Sequence, residues 1–180
     1  MLDFEQGPIR PPSEAGSLLV RLSRNCPWNK CVFCPVYKSA GFSTRSVDEV
    51  LADLDAMKDS CGDRPTTVFL QDANPLVTKP DHVVTILKGI RERFPNVSRI
   101  TTYARSHTLA LRKPEDLKRI NQAGLDRVHI GLESGNDEVL TLVQKGTTQA
   151  QQIDGGRGAV AAGFEVSEYW MPGLGGKALS

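Results

Sequence analysis

Ser17-Leu-Leu-Val-Arg-Leu-Ser-Arg-Asn-Cys26-Pro-Trp-Asn-Lys-Cys31-Val-Phe-Cys34 joins a short apolar run to three cysteines packed into nine residues. The apolar part reads as a strand, Ser17 to Ser23, and the cysteines fall on the loop that leaves it. Spacings of four residues and then two place three thiols where they can converge on one metal centre. No fourth cysteine is near enough to close the shell, because Cys61 stands alone in Ser60-Cys61-Gly62-Asp63 at a predicted helix end. Structural zinc and electron-transfer clusters usually take four protein ligands, whereas a site that keeps a position open generally does chemistry. The competing reading is zinc completed by a histidine, but His82, His107 and His129 do not stand at the usual finger spacing.

Outward from this stretch the chain alternates β-branched runs with capped helical runs, the pattern of repeated β-α units on a parallel sheet. The further strands are Thr66 to Gln71, Arg99 to Ala104, Arg127 to Leu132 and Glu165 to Met171. Ser46-Val47-Asp48-Glu49 is a capping box that opens a helix over roughly 46 to 59. Pro80 suits the first turn of the next helix, which Phe94-Pro95-Asn96 ends. Lys113-Pro114-Glu115 opens a third that stops at Gly124, and Gly135-Asn136-Asp137 precedes a fourth. A fifth run, Thr148 to Ala162, starts with Thr148 and Gln151 as a second capping box but carries Gly155, Gly156 and Gly158. Each of these costs up to about 1 kcal/mol against alanine in a helix interior, so this helix is expected to be the least stable. Pro8, Pro11 and Pro12 make residues 1–15 an extended arm, and residues 16–180 form the single core domain.

Composition removes several function classes. Lys plus Arg at 22 against Asp plus Glu at 21 leaves a net charge of +1, with no basic field for nucleic acid and no polybasic membrane patch. The N-terminus lacks an apolar signal core, and no run approaches the roughly 20 apolar residues of a membrane span. A cytoplasmic location is expected, where clustered cysteines read as metal-binding rather than as disulfides.

Strand parity points to one mouth. His129, Gly131 and Glu133 share a face opposite Val128, Ile130 and Leu132, and Thr101, Tyr103 and Arg105 repeat the pattern opposite Ile100, Thr102 and Ala104. A polar inner face against an apolar, helix-covered face suggests a curved sheet around an occupied lumen. In parallel α/β folds ligands bind at the carboxyl ends of strands, and the cysteine loop, Gln71-Asp72-Ala73-Asn74, Arg105, Glu133-Ser134-Gly135 and Met171-Pro172-Gly173 all lie there. His129 points inward, but a lone histidine more often satisfies a buried hydrogen bond than performs catalysis. Glu168 and Tyr169 lie on opposite faces, so one at most faces the lumen.

Cys26-x4-Cys31-x-Phe33-Cys34 after a first strand, within a β-α repeat chain, resembles the radical S-adenosylmethionine (SAM) superfamily. His129-Ile-Gly-Leu-Glu-Ser-Gly135 and Tyr169-Trp-Met-Pro-Gly-Leu-Gly175 resemble the fourth- and fifth-strand segments of the subgroup holding coproporphyrinogen dehydrogenase, methylthiotransferases and the elongator catalytic subunit. The resemblance covers roughly residues 17 to 176. It implies an α/β fold, a partial (β/α) barrel of parallel strands with about five of the six expected β-α units, and a chain truncated at its C-terminal end. It also implies a 4Fe-4S cluster on Cys26, Cys31 and Cys34, with SAM on the remaining iron and reductive cleavage to a 5'-deoxyadenosyl radical.

Phe33 would lie near the adenine, Glu133 and Ser134 near the ribose or SAM, and Met171 and Gly173 in the loop that receives the adenine. Many relatives bind the SAM amino group with a glycine-rich second-strand motif; here Asp72 or Asn74 would supply that contact. Arg105 either neutralises the SAM carboxylate or pairs with Glu133. The implied partners are an unknown substrate and an electron donor such as flavodoxin or ferredoxin. Two function classes follow, a radical SAM enzyme and a non-catalytic iron-sulfur module.

Overall fold

A computed structural model describes residues 4–179; Met1 to Asp3 of the arm and Ser180 lie outside the described residues. The arm passes through a single 3-10 turn at Pro12–Glu14, where Pro12 tolerates the first helical position, so it is not wholly extended. Then come β1 (Leu18–Val20), β2 (Ser23–Arg24), β3 (Ser43–Thr44), α1 (Val47–Cys61) and β4 (Thr67–Leu70). A 3-10 turn at Pro75–Val77 leads to α2 (Pro80–Arg93), β5 (Arg99–Ala104), α3 (Ser106–Leu111), α4 (Pro114–Gln122) and β6 (Arg127–Glu133). The chain closes with α5 (Asp137–Leu142), α6 (Gln149–Ala161), β7 (Glu165–Trp170) and α7 (Gly176–Leu179).

Five strands form one parallel sheet in the order β1-β4-β5-β6-β7. Each strand therefore enters from the same end, and each loop that leaves a strand opens on the same rim. The fold is the α/β partial barrel expected of the sequence. The first strand is shorter than Ser17 to Ser23 because the chain turns out of the sheet after Val20. Ser23 and Arg24 instead pair antiparallel with Thr44 and Ser43 and form the neck of the cysteine loop.

Both capping boxes form. Ser46 Oγ accepts from Glu49 N at 3.2 Å while Glu49 Oε2 accepts from Ser46 N at 2.7 Å, and Thr148 and Gln151 repeat the exchange at 3.2 Å each way. The outer face of the sheet buries Val68, Leu70, Ile100, Val128 and Ile130 against Leu54, Val83, Leu87, Leu117 and Ile120 of the helices. Burying each such side chain contributes roughly 1.5–3 kcal/mol, which makes this face the stabilising layer of the domain.

Of the three glycines in α6, Gly155 has a packing reason. A Cβ on Gly155 would come within 2.5 Å of Ser106 O, so α3 and α6 approach backbone to backbone only because this position has no side chain. The helix α3 itself was not foreseen. It is six residues long and its N-cap, Arg105, makes no side-chain capping bond, so neither a cap nor a period announced it. Among the described residues no helix is long and apolar enough to cross a membrane.

Candidate active site at the strand carboxyl ends

The inner face of the sheet is lined by aromatic and polar side chains. Phe69 and Tyr103 meet edge to face at 5.1 Å between ring centroids, and His129 stacks on Tyr169 at 5.8 Å. Above them, at the carboxyl rim, lies a cavity of about 240 Å³ whose wall includes Cys26, Cys31, Phe33, Cys34, Arg105 and Glu133. Three widely separated segments, the cysteine loop and the ends of β5 and β6, thus meet as strand parity required.

The cysteine loop is held at both sides. At its start, Asn25 sits at φ +69° and its N–H donates to Asp72 Oδ1 at 3.1 Å. Asp72 also takes Arg21 Nε at 2.6 Å and is wholly buried. Across the loop, Trp28 Nε1 donates to Gln144 O at 2.7 Å and Val32 N donates to Val143 O at 3.0 Å, which ties the loop to the segment after α5. Gly146 makes this closure possible. Its φ is +66°, and a Cβ there would run into Cζ2, Cε2 and Cη2 of the Trp28 indole.

Two cations face the thiols. Arg105 donates to Lys145 O at 2.7 Å and Gly146 O at 3.2 Å, and its guanidinium carbon lies 5.2 Å from the Trp28 ring centroid. Lys145 Nζ pairs with Glu133 Oε1 at 2.9 Å and stands 5.7 Å from the Phe33 ring centroid. Glu133 therefore pairs with Lys145; Arg105 is held by backbone carbonyls. Burial pushes the Cys31 thiol above its ordinary value, Lys145 and Arg105 pull it back, and Cys26 and Cys34 push it up further. Burial also lowers Arg105, which Cys26 and Cys31 oppose.

The expected SAM contacts fall into three groups. Phe33, Arg105 and Glu133 line the cavity with the cysteines. Ser134, Met171 and Gly173 line an adjoining hollow of about 330 Å³ with Trp170 and Leu179. Asp72 and Asn74 line neither. Asn74 Nδ2 donates to Thr108 Oγ1 at 2.8 Å and its Oδ1 accepts from Arg105 N at 3.2 Å, so both second-strand side chains are spent on holding neighbouring loops. Ala73, between them, faces the cavity.

Glu133 sits at φ +67° on a register shift between Gly131 and Glu133, which turns its carboxylate inward. A side chain at 131 would meet Glu133 Oε1 at 2.6 Å and Lys145 Nζ at 2.9 Å, so Gly131 leaves room for that ion pair. Tyr169, not Glu168, faces the cavity, and Cys61 lies apart with its Sγ donating to Met57 O at 2.9 Å. None of the three histidines joins the cysteines at the cavity wall.

Lys145 was missed. A lysine just after a short apolar helix and before a glycine reads as an ordinary C-terminal charge, so local sequence carried no sign of its partner twelve residues upstream.

The sequence profile of the Radical SAM superfamily matches residues 20–178, nearly the whole chain. The chain belongs to the radical SAM superfamily. It is 27% identical over 156 residues to 4'-phospho-dehydrooxetanocin synthase of Priestia megaterium, covering 77% of this chain and 21% of that protein. It superposes on the cobalamin-dependent SAM radical enzyme OxsB, solved with aqua-cobalamin and SAM bound, with a TM-score of 0.70 and 26% identity. That match covers 86% of this chain and 24% of OxsB. The radical SAM methyltransferase TsrM of Kitasatospora setae, solved with cobalamin and a [4Fe-4S] cluster, gives a TM-score of 0.63 at 15% identity over 86% of this chain and 31% of TsrM. Coproporphyrinogen III oxidase (HemN) of Escherichia coli, also a radical SAM enzyme, gives 0.60 at 19% over 86% and 36%. The two low-identity matches speak to the fold alone. The chain thus spans between a fifth and about a third of the length of these radical SAM proteins.

Proposed function

We propose that this chain is the cofactor-binding core of a radical SAM enzyme, with Cys26, Cys31 and Cys34 holding a 4Fe-4S cluster and SAM seated over it in the cavity. The observation that carries this reading is the convergence of all three cysteines on one cavity wall with Arg105, Glu133 and Lys145. The donor set fits the cluster. Three thiols from one loop line a single cavity, and the cations Lys145 and Arg105 act on the middle one, Cys31. Cysteine thiolates are the ligands that iron-sulfur clusters take, and three of them facing one cavity match that donor set.

When bound and reduced, such a cluster supplies the electron that splits the SAM sulfonium and releases a 5'-deoxyadenosyl radical. The chain's own residues do the rest. Lys145 and Arg105 lower the cost of keeping the Cys31 thiolate in a half-buried site. Glu133 offers a carboxylate for the SAM ribose or amino group, and Phe33 a ring face for the adenine. Ser134, Met171 and Gly173 extend that seat toward the adjoining hollow. Asp72 and Asn74 act at one remove, by fixing Asn25 and Arg105. Trp28, against Gly146 and Arg105, shields the cysteine side from water. A one-electron donor of the flavodoxin or ferredoxin type completes the reaction.

The test is anaerobic reconstitution with iron and sulfide, then dithionite and SAM. A brown protein that yields 5'-deoxyadenosine and methionine is expected, and Cys31→Ala should lose both colour and product. A colourless protein holding stoichiometric zinc would falsify the cluster. A coloured protein that leaves SAM intact would make the chain an iron-sulfur module without radical chemistry.

A further inference from the structure

Running down from the cavity wall, three titratable side chains stand in line. Tyr169 lines the cavity, and its hydroxyl lies 3.3 Å from His129 Nδ1. His129 Nε2 faces Glu14 Oε1 at 3.6 Å. His129 is 2% exposed and Glu14 0%, so Tyr169 alone of the three reaches the space above. Ser17 Oγ donates to the other carboxylate oxygen of Glu14, Oε2, at 2.5 Å, and Arg99 pairs with Oε1 at 3.4 Å. Two buried polar atoms here, His129 Nε2 and Thr101 Oγ1, have no hydrogen-bond partner among the described residues. A buried glutamate delivered into the lumen by the N-terminal arm, aimed at an unpartnered imidazole nitrogen, is a costly arrangement if its only role is packing.

We propose that Tyr169, His129 and Glu14 form a proton relay from the cavity wall to a buried imidazole backed by a carboxylate, serving a substrate whose heteroatom gains or loses a proton in the same turnover as the radical step. The use of the relay in turnover rests on the radical reading of the cavity; its existence does not. Tyr169 is the catalytic member and the other two position and charge it. A substrate heteroatom passes its proton to Tyr169 Oη as the tyrosine's own proton moves to His129 Nδ1. One bond to hydrogen breaks at the substrate and one at Oη, one forms at Oη and one at Nδ1, and each electron pair stays on the atom that gave up the proton. The imidazolium is then held by the Glu14 carboxylate, and no oxidant or reductant is consumed.

The charges around His129 agree with this direction. Burial lowers its pKa, Glu14 opposes that, and Arg127 and Arg99 add to the lowering, so the ring rests neutral and able to accept. Tyr169 is raised by burial and by Glu14, against a lowering from Arg127, so its hydroxyl rests protonated and able to give. Tyr103, whose ring centroid is 6.1 Å from that of His129, is itself pushed up by burial and adds no charge. The relay then requires one tautomer, with Nδ1 bare toward Tyr169 and Nε2–H toward Glu14.

Nitrogen NMR on the full chain labelled with 15N-histidine tests this without cluster, SAM or substrate, with His129 assigned as the signal lost in His129→Gln. The expected result at pH 7 is protonation at Nε2 only. In Glu14→Gln the proton affinity of His129 should fall at least tenfold. In Tyr169→Phe, a change at a cavity-facing position, exchange between the neutral and charged ring should slow at least tenfold with the tautomer kept. A purely structural network would not make that rate depend on Tyr169. An Nδ1-protonated ring, an unchanged affinity in Glu14→Gln or an unchanged rate in Tyr169→Phe overturns the relay. Should Glu14→Gln not fold, the wild-type tautomer and the Tyr169→Phe rate decide alone. Failure of SAM cleavage would remove the radical reading and leave these signals as they are.

Discussion

Replacing Gly146 by alanine should open the cysteine loop, and the structure sets the size of the effect. The residue sits at φ +66°, a conformation that costs an ordinary L residue roughly 1 kcal/mol. The new Cβ would also press on three atoms of the Trp28 indole, the farthest of them at 2.8 Å. Forcing a methyl group into such a contact typically costs about 1–3 kcal/mol as the neighbour moves. The sum is a loss of about 2–4 kcal/mol, or roughly 4–16 °C in Tm for a domain of this size. Trp28 is the part that yields, and with it goes the Nε1 bond to Gln144 O that closes the loop.

Urea unfolding followed by circular dichroism measures the loss, and iron per chain after reconstitution reports the loop. The cause is isolated by a double-mutant cycle. In a Trp28→Ala background the steric part vanishes and Gly146→Ala should cost only the backbone share, giving a coupling of about 1–3 kcal/mol. Gly135→Ala, where a Cβ would meet nothing within 4 Å, is the control and should be nearly neutral. A Gly146→Ala protein as stable as wild type, or one whose full loss persists without Trp28, would refute the reasoning.

Two further outcomes follow from the same contacts. In α6, Gly158→Ala should raise stability by about 0.5–1 kcal/mol, because its Cβ would lie an ordinary 3.8 Å from Leu117 Cδ1, whereas Gly155→Ala should lower it by forcing α3 and α6 apart; equal shifts in thermal unfolding would contradict the packing account. Glu5 is held below the usual carboxylate range by its hydrogen bond to Arg24, with the charges of Arg24, Arg21 and Arg45 adding and partial burial opposing. A depressed carboxylate stabilises fully above its unfolded value of roughly pH 4.3 and loses that contribution as pH falls through the folded value, so the arm should become protease-sensitive on acidification below about pH 4. Glu5→Gln should be cleaved at neutral pH already and show no such pH step.

Periodicity and punctuation carried much of the fold because they act locally. Ser46 with Glu49 and Thr148 with Gln151 needed only a three-residue reach, and both boxes formed where expected. Arg99–Ala104 matches its predicted bounds, its β-branched run following the turn at Pro95-Asn96. Local signals failed where a partner is remote. The first strand ends early because Ser23 and Arg24 find Thr44 and Ser43 twenty residues later, and α3 is short enough that its packing on Gly155 decides it. In the site, the three cysteines, Phe33, Arg105 and Glu133 were legible as strand-end residues. Asp72 and Asn74 stood in the right loop, but their side chains turn to Arg21 and to Thr108 and Arg105, a choice made by packing.

The amino-acid sequence by itself determined the cysteine loop, the β-α alternation and the two-faced strands, since spacing, capping and parity are properties of neighbouring residues. Only the tertiary structure decided which charges meet. Lys145 reaches Glu133 because the turn that follows α5 returns to the end of β6, Trp28 seals the loop because Gly146 leaves it room, and Glu14 stands before His129 because the arm carries it there. Ion pairs and buried contacts depend on distance in space, and distance in space is what a linear pattern of residue types leaves unspecified.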